Sequence, residues 1–299
     1  DSRDPQVFDN TMRLMVFTAP DGRTIGSIVN WANHPETPWA DNTELTADFP
    51  GYVRDALEAG VNVDGRQVEA GLGGIHVYVN GAIGGLMTTN PATTVVDPYT
   101  QQAFAAPSHD KARAVGRRLA QAALAAVRSG AAVPQSEPRI AFAARTIELT
   151  NHNTLFRLAA ALGLFGRGHP RLNTIRSEVA VVTFGEASLT CVPGELYPEI
   201  ANGGIEHPPG ADFDVAPVEV TSLRELMPGR VKFLIGLAND EVGYIIPKSE
   251  WDDQAPWLYG RTERQYGEIN SLGPETGPQI HAALKALGAS LSERQPTAR

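Results

Sequence analysis

Apolar and polar residues alternate along the chain in a way that predicts short strands interrupted by longer helices. Two strands are expected close to the start, Arg13 to Thr18 and Arg23 to Trp31, and Asp21-Gly22 between them is typical of a tight hairpin turn. Further strands are predicted at Ile75 to Val79, Arg139 to Leu149, Glu178 to Phe184, Ala187 to Val192 and Val231 to Leu237. Because some of these strands form hairpins, part of the sheet is expected to be antiparallel.

Helices are predicted where apolar residues recur every three or four positions. One follows Asp48, which is expected to cap it, and a long one lies between Ser108 and Gly130. The last is expected from Glu275 to Leu287, with Gly288 as its stop signal.

Two segments stand out by composition. Leu155 to Phe165 is apolar on almost every side, which favours a buried helix or the wall of a hydrophobic pocket. Ser290 to Arg299 has no apolar periodicity, so residues 289–299 are expected to form a polar tail. The predicted fold class is therefore α/β, a mixed and partly antiparallel sheet flanked by helices, in a single large domain over residues 1–288.

Composition and charge narrow the possible partners. A chain of 299 residues with 42% hydrophobic content can bury a sizeable core. Its net charge of -9, without any basic block, argues against nucleic acid as a partner and favours a small molecule. No apolar run approaches the roughly 18 residues of a membrane span, so no transmembrane segment is expected. Nothing in the sequence indicates an oligomeric state.

Polar and glycine-rich segments repeatedly follow the predicted strands. His34 comes just after the strand that ends at Trp31, Gly81 to Gly85 follows the strand ending at Val79, and Pro193-Gly194-Glu195 follows Val192. Since ligands of open α/β sheets bind at strand ends, a site is expected there. His34 is a candidate metal ligand, although a lone histidine in this position is more often structural.

Several catalytic motifs are absent from the sequence. It contains no GxSxG of serine hydrolases, no GK[ST] of phosphate loops and no HExxH of zinc proteases. His34-Pro35-Glu36 imitates the HxE of zinc deaminases, but the PCxxC half of that motif cannot form with Cys191 as the single cysteine. Any metal site must therefore be assembled from ligands far apart in the sequence.

Five segments along the chain belong together. They are Ile28-Val29-Asn30-Trp31-Ala32-Asn33-His34-Pro35, Thr46-Ala47-Asp48-Phe49-Pro50-Gly51-Tyr52, Val77-Tyr78-Val79-Asn80-Gly81-Ala82-Ile83-Gly84-Gly85, Val192-Pro193-Gly194-Glu195, and Leu237-Ala238-Asn239-Asp240-Glu241-Val242-Gly243-Tyr244. In this order they resemble the catalytic domain of the neutral/alkaline (non-lysosomal) ceramidase family, and the similarity extends over most of residues 1–288.

The resemblance implies a zinc-dependent enzyme that hydrolyses an N-acyl amide bond. The family holds zinc with two histidines, a glutamate and a tyrosine, and three of these positions match His34, Glu195 and Tyr244. Arg3 resembles the family's substrate-contacting arginine, and Tyr266 its second active-site tyrosine. The resemblance thus makes Tyr244 and Tyr266 the candidate catalytic tyrosines. It also implies a secreted or periplasmic location.

The chain departs from the family pattern in two places. The family's HxHxGP-like segment, which carries the other histidine ligand, would precede anything present here, so we expect an amino-terminally truncated chain. Met87 stands where ceramidases carry a serine near the scissile amide, while the backbone of Gly81, Gly84 and Gly85 is expected to line the scissile group. We therefore expect a short bacterial-type homologue acting on an N-acylated small molecule or lipid other than ceramide.

Other interpretations stay open at this point. The chain is alternatively a noncatalytic binding or scaffold protein with a degenerate ceramidase-like site, or an esterase that uses the same metal. Without the resemblance, a solvated turn is the better explanation of Glu195. Tyr244 and Tyr266 are open to interpretation as core aromatics whose hydroxyls reach water.

Overall fold

The computed structural model describes residues 7–85, 88–164 and 173–294, and its mixed α/β architecture confirms the predicted fold class. The chain forms two compact units. The amino-terminal unit comprises Asn10–Asn80 and Met87–Gln135, and the carboxy-terminal unit comprises Asp1–Asp9, Gly81–Leu86 and Ser136–Arg299. The prediction of one domain over residues 1–288 stays a prediction.

The amino-terminal unit contains a three-stranded sheet of order β1-β2-β5, in which β1 and β2 are antiparallel while β2 and β5 are parallel. Its elements are β1 (Arg13–Thr18), β2 (Thr24–Trp31), α1 (Asp48–Ala59), β3 (Val61–Val63), β4 (Arg66–Glu69), β5 (Ile75–Asn80), β6 (Val95–Val96), β7 (Ala103–Phe104) and α2 (His109–Arg128).

The core of the amino-terminal unit lies where α1 and α2 pack together beside β2. Phe49 and Leu57 of α1, Leu124 of α2 and Val29 of β2 are buried in one apolar cluster. The two helices approach closely because α2 carries Gly116, where a Cβ atom would lie only 2.7 Å from the Phe49 carbonyl oxygen. The sequence therefore sets both the apolar faces and the closeness of the two helices.

The carboxy-terminal unit contains a four-stranded sheet of order β12-β10-β9-β8 and a separate parallel pair, β11 with β13. Its strands and α-helices are β8 (Ile140–Thr150), α3 (Thr154–Ala161), β9 (Thr174–Phe184), β10 (Ala187–Cys191), β11 (Glu195–Leu196), α4 (Pro198–Asn202), α5 (Leu223–Leu226), β12 (Val231–Ile235), β13 (Tyr244–Ile245), α6 (Tyr266–Ile269) and α7 (Thr276–Arg294). Short 3-10 helices span Lys248–Glu250 and Leu258–Gly260.

The core of the carboxy-terminal unit is formed between the four-stranded sheet and α7. Val179 and Val181 of β9, Leu234 of β12, and Ile280 and Leu284 of α7 are all buried in a single cluster. Side chains alternate between the two faces of a strand, and Ile175, Val179 and Val181 of β9 all lie on the face that reaches this cluster. The β11–β13 pair borders the same core.

The prediction of a buried helix over Leu155 to Phe165 is wrong for the residues that the structure describes, which end at position 164. The helix α3 lies in this segment, but Leu155 is 68% exposed and Leu158 is 56% exposed. When a helix is apolar on every side, its composition does not show which side packs against the rest of the protein. In this helix, Ala160 is the buried residue.

The predicted stop at Gly288 is also wrong, because α7 continues to Arg294, so residues 289–294 of the expected tail are helical. A Cβ atom at Gly288 would lie 3.0 Å from the Leu226 carbonyl oxygen and 2.9 Å from Met227 Cε. The glycine therefore permits close packing against α5 and its end. Leu291, in the expected tail, is 1% exposed and belongs to the core.

In the described ranges, no helix combines the length and the apolar character that crossing a bilayer requires.

Candidate functional site

Glu195 and Tyr244, two predicted metal ligands, are direct register partners in the parallel pair β11–β13. The Glu195 N–H donates to the Gly243 carbonyl oxygen over 3.1 Å, and the Tyr197 N–H donates to that of Ile245 over 3.1 Å. Register partners present their side chains on the same face of a ladder. The Glu195 carboxylate and the Tyr244 phenol, both half-buried, are thus brought together from segments that are far apart in the sequence.

The closeness of these backbones depends on glycines. A Cβ atom at Gly194 would lie 2.5 Å from the Gly243 carbonyl oxygen. At Gly243 itself, where φ is +86°, a Cβ atom would lie 1.9 Å from the Asn270 carbonyl oxygen. Residues with a side chain cannot occupy either position without moving the backbone. The Pro193-Gly194-Glu195 turn, β13 and the end of α6 therefore meet because these residues are glycine.

The loop of Gly81 to Gly85 packs against the back of β11. The Gly84 N–H donates to the Leu196 carbonyl oxygen over 2.9 Å, and a Cβ atom at Gly84 would lie 2.7 Å from that of Glu195. This N–H is already bonded within the protein, so Gly84 acts here by supporting β11. Gly81 is buried beside Gly236, and Gly85 is exposed with φ +73°.

The ring of Tyr244 is flanked by two further tyrosines. Tyr266 is edge-on to it, with ring centroids 5.8 Å apart, and Tyr197 is edge-on at 6.4 Å. Such perpendicular contacts are favourable because the edge of one ring meets the face of another. Tyr266 is 71% exposed, so its hydroxyl is accessible to a ligand. The structure thus brings Glu195, Tyr244 and Tyr266 together within the carboxy-terminal unit.

The sequence interpretation missed Tyr197. Its ring lies against Gly84, and a Cβ atom at Gly267 would lie 2.6 Å from its hydroxyl oxygen. Burial raises the pKa of Tyr197, and the carboxylate of Glu268 raises it further, so its phenol stays protonated at neutral pH. The available signal was its spacing of two from Glu195, which places both side chains on one face of an extended segment.

Glu268, two residues after Tyr266, is the strongly perturbed carboxyl group of this region. It is 4% exposed and lines a cleft of about 300 Å³ that also contains His152 and Arg264. Burial raises the pKa of Glu268 to about 7, and the nearby Asp252 carboxylate contributes in the same direction. Protonation of this group therefore changes within the physiological pH range.

His34, the third predicted ligand, belongs to the amino-terminal unit and follows β2. It is half-buried and forms an isolated parallel bridge with Thr88. Its carbonyl oxygen accepts from Asn33 Nδ2 over 3.2 Å. Among the residues that the structure describes, Thr88 Oγ1 and Asn80 Oδ1 are buried without a hydrogen-bond partner. A buried polar atom without a partner calls for an explanation, and a bound polar ligand would supply one.

Asp48 fixes the loop that carries His34. Its buried carboxylate accepts from the Thr37 N–H over 2.7 Å and from the Thr37 hydroxyl over 2.8 Å. Asp48 is itself the first residue of α1, and its carboxylate also accepts from the Phe49 N–H. The loop after His34 is therefore tied to the start of this helix.

Arg3 and Met87, predicted to contact the substrate, lie outside the described residues. Within the described ranges, no three histidine, cysteine, aspartate or glutamate side chains are grouped closely enough to hold a metal ion. His34, Glu195 and Tyr244 therefore remain metal ligands predicted from the sequence.

The fold is that of the neutral ceramidases. The structure of neutral ceramidase from Pseudomonas aeruginosa is similar with a TM-score of 0.61 and 16% identity, over 99% of this chain and 49% of that chain. A ceramidase complexed with C2 is similar with a TM-score of 0.59 and 15% identity, over 96% of this chain and 49% of that chain. The chain thus spans about half the length of these structures. No family model and no curated protein sequence matches the chain.

Proposed function

We propose that the protein is a zinc-dependent hydrolase of an N-acyl amide bond, acting on an N-acylated small molecule or lipid other than ceramide. The observation that carries this proposal is the pairing of Glu195 with Tyr244, with the Tyr266 ring against the Tyr244 ring. The neutral ceramidase fold of the chain supports it. The substitution of Met87 for the family's serine is the reason for doubting ceramide itself.

The residue types predicted as ligands suit zinc. Carboxylate and imidazole groups are ordinary zinc ligands, and a catalytic site keeps one position open. Glu195 would supply the carboxylate and Tyr244 a phenolic oxygen, and the resemblance of the sequence adds His34 as the imidazole. When bound, zinc supplies a Lewis acid that polarises the amide carbonyl and makes water more acidic.

The protein's own groups would bind and orient the amide. Tyr266 is accessible and would donate a hydrogen bond to the amide oxygen or to the departing nitrogen. Tyr197 stays protonated and packs on Tyr244, so it would hold that ring in place. The glycines around β11 keep the groups preorganised because they leave the backbones in contact.

Metal analysis is the first test. Zinc measured by mass spectrometry in the dialysed full chain should approach one equivalent and fall sharply in Glu195→Ala and Tyr244→Phe. Glu137→Ala, an exposed glutamate in the same unit, is the matched control and should keep its zinc. A well-folded full chain that takes up no zinc at any concentration would overturn the proposal and favour a noncatalytic binding protein.

Substrate class is the second test. Matched N-acyl amides and esters, ceramide included, should separate an amidase from an esterase that uses the same metal. We expect amide hydrolysis, with kcat lowered at least tenfold in Tyr266→Phe while zinc content is unchanged. Faster turnover of every ester than of its amide, with no amide product at all, would contradict an amide-directed enzyme.

A further inference from the structure

The amino-terminal unit contains a groove of about 430 Å³ along one side of α2. Its apolar lining includes Trp31, Val115 and Leu119. The polar residues Asn33 and Thr88 and the exposed Arg118 also line it. Sites for small molecules usually have this size and composition, mainly apolar with a few polar groups that fix the ligand's orientation.

One wall of the groove is held by a buried lysine. The Lys111 ammonium donates to the carbonyl oxygens of Asn90, Pro91 and Ala105 at 3.0–3.2 Å. Lys111 is fully buried, and Asn90 lines the groove. Because one charged group satisfies three carbonyls, this wall is preformed.

Arg118 differs from the other arginines near it on α2. Arg113 pairs with Asp110 at 2.7 Å, and Arg117 pairs with Asp97 at 2.9 Å. Within the described ranges, Arg118 has no carboxylate at ion-pair distance and donates to the Val96 carbonyl oxygen over a long 3.4 Å. A guanidinium beside an apolar groove is complementary to an anion that carries an alkyl chain.

We propose that this groove binds an aliphatic carboxylate, with the alkyl chain on Trp31, Val115 and Leu119 and the carboxylate on Arg118. The net charge of -9 disfavours anions at long range, so binding must come from this local cation and from apolar burial. The inference concerns binding alone and stands whether or not the protein is a hydrolase.

Calorimetric titration of the full chain with octanoate is the test. We expect saturable binding that weakens with added salt, whereas octanamide, of the same length but neutral, should bind at least fivefold more weakly. Arg118→Gln should weaken octanoate binding about fivefold and leave octanamide unchanged. Arg113→Gln, on the same helix but ion-paired away from the groove, should bind octanoate as the unmodified protein does.

The apolar part of the groove is tested separately. Ala122 is exposed on α2 and lines the groove, so Ala122→Glu should abolish octanoate binding by bulk and charge without affecting folding. Ala126→Glu, exposed one turn further along, is the control. Three results would each overturn the proposal. The first is equal binding of octanoate and octanamide, and the second is unchanged octanoate binding by Arg118→Gln. The third is a titration in which neither octanoate nor N-octanoylglycine produces heat.

A second pair of ligands identifies the source of the carboxylate. Octanoate represents a free fatty acid, and N-octanoylglycine represents an N-acyl amide that carries its own carboxylate. Both are titrated into Glu195→Ala, so that hydrolysis does not interfere. If octanoate binds more tightly, the groove is assigned to a free acid. If N-octanoylglycine binds more tightly, it is assigned to an acylated amine. In either case, Arg118→Gln must weaken the binding of the ligand that binds more tightly.

Discussion

Glu195 and Tyr244 lie opposite each other in the β11–β13 pair, although different strings of the chain supply them. Their backbones are joined by the hydrogen bond from Glu195 to Gly243, and the Gly84 loop supports β11 from behind. The geometry of this carboxylate–phenol pair therefore depends on backbone contacts that only glycine permits. Replacing one of these glycines with alanine, which adds a single carbon atom, should therefore disturb the geometry of the pair.

Gly84→Ala should disrupt this pair without removing any functional group. The new methyl would lie 2.6 Å from Tyr197 Cδ1 and 2.7 Å from the Glu195 carbonyl oxygen, so β11 must shift. We expect a loss of about 1–3 kcal/mol in the free energy of unfolding in urea, together with reduced uptake of the zinc proposed above. Gly130→Ala adds backbone strain because φ is +71° there, but the added Cβ atom meets nothing within 4 Å, so this variant should take up zinc as the unmodified protein does. Full zinc uptake by Gly84→Ala would show that the Gly84 contact does not position Glu195.

Glu268 should make stability depend on pH. Its pKa is raised from 4.5 to about 7 in the folded protein, so its contribution to stability is complete below about pH 4.5 and is lost as the pH rises to 7. Glu268→Gln cannot ionise. As the pH rises from 4.5 to 7, the free energy of unfolding of this variant should increase relative to that of the unmodified protein, by at most about 3 kcal/mol. A difference that stays constant with pH would mean that Glu268 ionises normally.

The elements were largely predictable, because strand alternation and helical spacing are local properties. The predicted strand Arg13 to Thr18 coincides with β1, and Ser108 caps α2 by accepting from the Lys111 N–H, as its position before that helix indicated. The pairing of Glu195 with Tyr244 was not local. Family resemblance selected both residues, but only their register in the folded chain places them opposite each other.

Two of the errors, on α3 and on Gly288, have a common physical cause. Segments that are remote in the sequence decide which face of α3 is covered. They also decide whether Gly288 ends a helix or allows another segment to pack closely against it. Tyr197 was overlooked for a different reason, since its spacing from Glu195 was visible but its contact with the Tyr244 ring was not. Periodicity predicts an element, whereas packing decides what each side of that element contacts.

Lys111→Met should destabilise the protein well beyond the effect of a surface change. Its ammonium is fully buried and donates to three carbonyl oxygens, which the variant would leave without their charged donor. We expect a loss of about 2–4 kcal/mol in urea unfolding. Arg113→Met removes a partly exposed pair with Asp110 on the same helix and should cost less than about 1 kcal/mol. Equal losses in the two variants would contradict a structural role for Lys111.

The exposed side of α3 should tolerate polar residues. Leu158 is 56% exposed, so Leu158→Gln is expected to change the free energy of unfolding by no more than about 0.5 kcal/mol. Leu284 of α7 is fully buried in the core, and Leu284→Ala should cost about 2–5 kcal/mol. Urea denaturation of both variants measures the contrast. A large loss in Leu158→Gln would show that this face is covered after all.

His34→Ala tests the ligand that sequence alone supplies. Thr37, three residues further along, is held by Asp48, and Asp48 is unchanged in this variant, so the loop should keep its fold. If the imidazole is a zinc ligand, zinc affinity should fall by at least about tenfold, because a site with few protein ligands loses one of them. His109→Ala is the control in the same unit, since that histidine lies beside Glu44 at the surface. Chelator competition measures both affinities. Unchanged zinc affinity in a folded His34→Ala protein would remove His34 from the metal site and leave Glu195 and Tyr244 to be tested without it.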